Sequence, residues 1–148
     1  MDEFRAYRRR LPHWRADDSI YFVTWCLERG LPDLDCAERD QFLAALRHFR
    51  NVRYILYSAV VMNDHVHALV EPIPPFSLEE IVRSWKVFTS RHFSKRTGRV
   101  WQSEYYDRIM RNEHEFAQKL GYIVANPYLR WPGIQSYPWI WIDAAVYD

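Results

Sequence analysis

The 148-residue sequence predicts an α+β fold, a ferredoxin-like βαββαβα arrangement whose four-stranded antiparallel sheet carries its helices packed on one face. Three observations predict it. Segments rich in β-branched and aromatic residues alternate with segments of helical apolar spacing, and two strand-like runs follow one another across a short turn. Each helical segment opens on a capping residue with glutamate three positions later. Hydrophobic residues make up 49% of the chain and glycine only 4 positions, which suits one buried core and not a disordered chain.

The elements follow in order. Residues 19–27, SIYFVTWCL, read as the first strand. Asp35 with Glu38 forms a capping-box pattern, and Phe42, Leu43, Leu46 and Phe49 continue at helical spacing. Residues 53–62 are a second strand, Asn63 and Asp64 a turn, and 65–72 a third strand, an antiparallel hairpin. Ser77 with Glu80 opens a long helix that stops near Gly98. Residues 103–111 read as a fourth strand, and Asn112 with Glu115 caps a last helix that Pro127 ends. One domain is expected over 1–148, with a basic N-terminal arm (1–18) and an aromatic C-terminal tail (128–148) that packs on it.

No run of 18 or more apolar residues exists, so no membrane partner is expected. The N-terminus lacks the apolar core of a signal peptide, and Cys26 and Cys36 lack metal-ligand spacing. A reduced, cytoplasmic setting follows as the expectation. The net charge of +1 names no partner, but its distribution does. Arg5, Arg8, Arg9, Arg10 and Arg15 crowd the N-terminal arm. Arg83, Lys86, Arg91, Lys95, Arg96 and Arg99 follow one another without an acidic residue between them. Interleaved with Trp14, Trp85, Phe88 and Phe93, these clusters suit phosphate contact and base stacking. Arg8, Arg9, Arg10, Arg15, Arg83, Lys86, Arg91 and Lys95 are therefore the candidate DNA contacts; the competing reading is a solvated helix face.

His65 and His67 lie two apart in the third strand and so share a face, with Val66, Ala68 and Val70 packing the other way. Two parallel imidazoles can chelate a metal, and a structural role for the pair is the alternative. In the last helix the apolar side is Phe116, Ala117, Leu120, Ile123 and Val124. At about 100° per residue Tyr122 lies roughly 200° from Leu120, away from the core, with Asn126 one turn beyond it. Gly121 beside it costs about 1 kcal/mol in a helix interior and removes a side chain where something can approach closely. A tyrosine hydroxyl becomes an effective nucleophile at neutral pH when the phosphate it attacks is activated, as a divalent metal held by histidines would do.

These motifs carry a resemblance. HVH at 65–67, preceded by MND, resembles the His–hydrophobic–His (HUH) motif of the single-tyrosine, IS200-like transposases. YIVANP at 122–127 resembles the helix that carries their nucleophilic tyrosine. LPHWR at 11–15, YFVTW at 21–25 and WQSEYYDRIMR at 101–111 resemble the branch called REP-associated tyrosine transposases. The matching segments run in order across residues 8–130. The resemblance implies cutting and rejoining of single-stranded DNA through a 5′-phosphotyrosine link, on short palindromic hairpin elements. It places Tyr122 on the nucleophile, His65 and His67 on the metal ligands, and Asn126 on the third ligand, where relatives often carry glutamine. It also implies Mg2+ or Mn2+ as cofactor, single-stranded or hairpin DNA as partner, a monomer or homodimer, and a place at the nucleoid of a prokaryotic cell.

Two readings compete. One is a non-catalytic DNA-binding protein on the same fold. The other is a cupin-like metal enzyme, because His65, His67 and Glu71 match H-x-H-x3-E spacing. Ala59 and Leu78 stand where a cupin has glycines, and three helical segments do not suit a barrel. A nucleotide-hydrolase array of alternating histidines fails at Leu69.

Overall fold

A computed structural model describes residues 19–147. Its elements are β1 (Tyr21–Cys26), α1 (Cys36–His48), β2 (Tyr54–Val61), β3 (His65–Pro72), α2 (Leu78–His92), β4 (Tyr106–Ile109), α3 (Glu113–Arg130), β5 (Ile140–Ile142) and α4 (Ala144–Tyr147). The strands form one sheet in the order β4-β1-β3-β2-β5, with every neighbouring pair antiparallel. Among the described residues no helix is long and apolar enough to cross a membrane.

The α+β class and the antiparallel sheet agree with expectation, but the layering does not. The sheet has five strands rather than four, and helices cover both its faces rather than one. Val23 and Trp25 of β1 and Val66, Ala68 and Val70 of β3 pack with Phe42 and Leu46 of α1 and Ile81, Val82 and Trp85 of α2. Phe22, Val60 and Leu69 pack the other way, against Phe116, Leu120 and Ile123 of α3. The physical reason is visible in β2 and β3, where consecutive residues are buried instead of alternate ones. A strand buried on both faces needs cover on both.

A bulge in β2 adjusts the two faces. Leu56 pairs with Val70 but Ser58 with Leu69, so Tyr57 is the extra residue. Before it Tyr54 and Leu56 face α1 and α2; after it Ala59 and Val61 do. The fifth strand comes from the aromatic tail, where Ile140, Trp141 and Ile142 pair with Val60, Ala59 and Ser58.

Two helix ends differ from expectation. The second helix ends at His92, before Gly98. The third does not end at Pro127 but runs through it to Arg130. Pro127 is buried in register with Phe116, Leu120 and Ile123, so packing holds the helix past the missing N–H. The Trp131 N–H then donates to the Pro127 carbonyl at 2.9 Å.

At α1 the capping box forms as expected, with Glu38 N–H on Asp35 Oδ1 at 2.8 Å and Asp35 N–H on Glu38 Oε1 at 3.0 Å. Glu38 has a second task. The Arg96 guanidinium donates to both its carboxylate oxygens, at 2.7 and 2.9 Å, and both side chains are only 8% exposed. Arg96→Met leaves that carboxylate buried and unpaired, so a loss of about 3 kcal/mol or more in urea unfolding is expected. A loss under about 1 kcal/mol would show the pair to be dispensable.

Candidate active site

The hairpin turn fixes where β3 begins. Leu27 N–H donates to the Asp64 carbonyl at 2.9 Å, Leu34 N–H to the Asn63 carbonyl at 2.7 Å, and Met62 N–H to the His65 carbonyl at 2.8 Å. From there alternation along β3 sends His65, His67 and Leu69 toward α3. The histidine rings stand 4.7 Å apart between centroids, at 74°.

β1 supplies the neighbours of His67. Thr24 is its cross-strand partner, and Thr24 Oγ1 lies 2.7 Å from His67 Nδ1. The Phe22 ring stacks on the imidazole at 5.3 Å and 19°. His67 is 5% exposed, and burial first, then the nearby His65 and Lys119, push its pKa down to about 3. It is therefore a neutral imidazole near pH 7. His65 is more open, and its Nδ1 lies 2.7 Å from Asp64 Oδ1.

From the facing layer α3 brings Tyr122. Its ring centroid is 5.3 Å from that of His67 and 6.1 Å from that of Phe22. Tyr122 is 43% exposed, so it lies at the rim of the α3 interface rather than facing fully away. Asn126, one turn further along, is half-buried. A Cβ on Gly121 would meet nothing within 4 Å among the described residues, so none of them requires glycine there.

His67 Nε2 is a buried nitrogen with no hydrogen-bond partner among the described residues. If Nδ1 donates to Thr24 Oγ1, Nε2 keeps a lone pair for a ligand. His65 has the matching arrangement, its Nδ1 on a carboxylate, as ligating histidines commonly have. The donor set thus fits a divalent ion at two positions. Among the described residues no group of three or more His, Cys, Asp or Glu comes together to hold a metal. Glu71 does not join the histidines. The Tyr57 hydroxyl donates to it at 2.7 Å, and the open five-stranded sheet is not a cupin barrel.

The expected DNA contacts are not gathered here. Arg83, Lys86 and Arg91 lie on α2 and Lys95 just beyond it, on the other side of the sheet. Arg83 pairs with Glu79 at 3.3 Å and Lys95 with Asp35 at 3.4 Å. Lys86 Nζ donates to the Gln102 and Ser103 carbonyls at 3.0 and 3.3 Å, and burial lowers its pKa. Arg8, Arg9, Arg10 and Arg15 lie outside the described residues.

Thr24, Phe22, Asp64 and Lys119 escaped the sequence reading. A hydroxyl inside the otherwise apolar and aromatic β1 was the available signal for Thr24, but only the register shows what it faces. Lys119 precedes Tyr122 by three residues, a helical neighbour.

Residues 38–125 match the family described as transposase, IS200-like. That span contains His65, His67 and Tyr122. A solved structure of a REP-associated tyrosine transposase bound to a REP hairpin is similar at TM-score 0.66 and 17% identity, over 91% of this chain and 93% of that one. A crystal structure of a transposase from Deinococcus radiodurans R1 is similar at TM-score 0.55 and 23% identity, over 76% of this chain and 95% of that one. Both likenesses concern the fold. No functionally curated protein matches the chain.

Proposed function

The chain belongs to the IS200-like transposase family, and from that premise we propose that it nicks and rejoins single-stranded DNA through a 5′-phosphotyrosine on Tyr122. The observation that carries the reading is the meeting of two layers. A half-exposed tyrosine from α3 lies 5.3 Å, ring to ring, from a buried histidine of β3 whose Nε2 has no partner among the described residues. Structural tyrosines and histidines are held by hydrogen bonds, as Tyr54 is by the Leu46 carbonyl at 2.6 Å. These two groups point instead to a ligand.

In this reading the Tyr122 oxygen bonds to phosphorus as the bond to the 3′-oxygen breaks. The phenolic proton passes to water, and the 3′-oxygen leaves as a hydroxyl after taking a proton from water. The 5′-phosphate stays on the tyrosine, and attack by a 3′-hydroxyl reverses the step and rejoins the strand. His65 and His67, with the Asn126 amide oxygen, are the groups that would hold Mg2+ or Mn2+, and that ion supplies polarisation of the scissile phosphate when bound. Phe22 and Thr24 keep the His67 ring in one orientation throughout.

The substrate proposed is unpaired DNA beside a short hairpin. The structural neighbour bound to a REP hairpin supports the hairpin, and a reactive group on an exposed helix rim suits an extruded strand better than a closed duplex. The test is incubation of the protein and a divalent metal with single-stranded DNA carrying palindromic hairpins from its own genome, labelled 3′ of the cut. A labelled adduct that peptide mass spectrometry locates on Tyr122 is expected. Cleavage with no adduct would point to a hydrolase, and binding with neither to a non-catalytic DNA-binding protein.

Affinity gives an independent check. Binding to hairpin DNA with a single-stranded flank should weaken about tenfold or more between about 50 and 200 mM salt, as phosphate contacts release counterions. Equal affinity for perfect duplex, or no response to salt, would count against the proposed substrate.

A further inference from the structure

We propose that Lys119 is a catalytic residue of this site, its ammonium binding a non-bridging oxygen of the scissile phosphate and holding the charge that builds there as the Tyr122 oxygen attacks. The proposal rests on Tyr122 being the nucleophile, and it adds a charged group that neither the paired histidines nor the tyrosine motif contains.

A missing ion pair motivates it. Glu115 precedes Lys119 by four residues on α3, the order and spacing at which glutamate and lysine pair on a helix. They do not pair here. Glu115 turns back, accepting from the Arg111 backbone N–H at 2.8 Å and from the Arg108 guanidinium at 3.4 Å. Those contacts, the Arg111 N–H foremost, hold its carboxyl below the usual range. Lys119 is half-buried and makes no hydrogen bond or ion pair among the described residues. Its Nζ instead lies 4.7 Å from the Phe22 ring centroid and 5.6 Å from that of Tyr122.

Ring faces hold an ammonium far less firmly than a carboxylate does, and a partly desolvated cation without a counter-charge is a ready partner for an anion. The space for one is present. A cleft of about 370 Å3 lies along this part of α3, lined by Arg108, Met110, Glu115, Gln118, Lys119 and Tyr122. A phosphate joined to the Tyr122 oxygen comes within reach of the lysine's flexible four-carbon stem. Lys119 is thus a cation that lies against the ring of the reacting tyrosine. Lys119 keeps its protons throughout the step; it donates hydrogen bonds and no proton is transferred from it. Preorganised donors of this kind commonly matter most where charge develops.

The experiment compares wild type, Lys119→Met and Lys119→Arg for single-turnover adduct formation at saturating hairpin DNA, with affinity and melting temperature measured on the same proteins. Lys119→Met should form the Tyr122 adduct about tenfold to a hundredfold more slowly, and Lys119→Arg should recover most of that loss. Lys119→Gln replaces the methionine variant if that one melts early. A loss under about tenfold in the uncharged variant, or an arginine variant as slow as it, overturns the proposal while leaving Tyr122 as nucleophile. A wild type that forms no Tyr122 adduct overturns the parent reading, and this one with it.

Discussion

Tyr122→Phe is expected to abolish covalent capture of DNA while leaving fold and affinity intact. The phenylalanine ring keeps the edge contacts to His67 and Phe22. The lost hydroxyl makes no hydrogen bond among the described residues, so its removal leaves no buried partner stranded. Stability should therefore change by less than about 0.5 kcal/mol. Adduct formation should fall by about a thousandfold or more, as loss of a nucleophile does in other covalent enzymes.

Tyr54, Tyr57 and Tyr128 are poorly placed to substitute. Tyr54 is buried with its hydroxyl on the Leu46 carbonyl, and the Tyr57 hydroxyl is on Glu71. Tyr128 is exposed on the same helix but six residues on, about 240° round its axis. Mass spectrometry of the adduct decides the matter. Label on another tyrosine, or normal cleavage by the variant, would falsify the assignment.

The strand that carries the histidines was legible because its signal is local. A turn precedes residues 65–72 and a proline closes them, so β3 has the expected bounds. The element order through α3 was legible for the same reason. Layering was not, because it depends on which faces are covered rather than on which residues are apolar. The consecutive burial of Val60, Val61 and Met62 and of Val66 to Val70 was the readable sign of a sheet covered twice. Pro127 shows a tertiary term overriding a local rule: a proline that disfavours a helix interior sits in one because its ring continues the buried stripe.

The basic run from Arg83 onward lies across the sheet from the histidines. Charge density along the sequence carries no information about the side of the sheet, and several of these cations are engaged by the protein's own carboxylates or carbonyls. The pair of histidines and the tyrosine were singled out from periodicity, and the family resemblance gave them their proposed roles. Their meeting was not, since His67 and Tyr122 are 55 positions apart and joined only by packing of α3 on β3.

Removal of divalent metal is expected to stop adduct formation as completely as loss of the tyrosine, because two imidazoles polarise a phosphate only through an ion that they hold. His67 is neutral, burial being the main cause, and His65 lies beside it. Both Nδ1 atoms are occupied, one by Thr24 and one by Asp64, which leaves the two Nε2 atoms as the available donors. Excess chelator should therefore abolish the adduct, with Mn2+ or Mg2+ restoring it. His67→Ala and His65→Ala should each cost about a hundredfold or more, with melting temperature measured alongside because His67 is buried and stacks on Phe22. Thr24→Val and Asp64→Asn, which alter only what orients the rings, should weaken metal binding by about tenfold to a hundredfold. Titration of Mn2+ followed by electron paramagnetic resonance reads this without DNA. Undiminished adduct in chelator, or Mn2+ affinity unchanged by His67→Ala, would remove the metal from the site and leave the paired histidines as positioning groups for the phosphate.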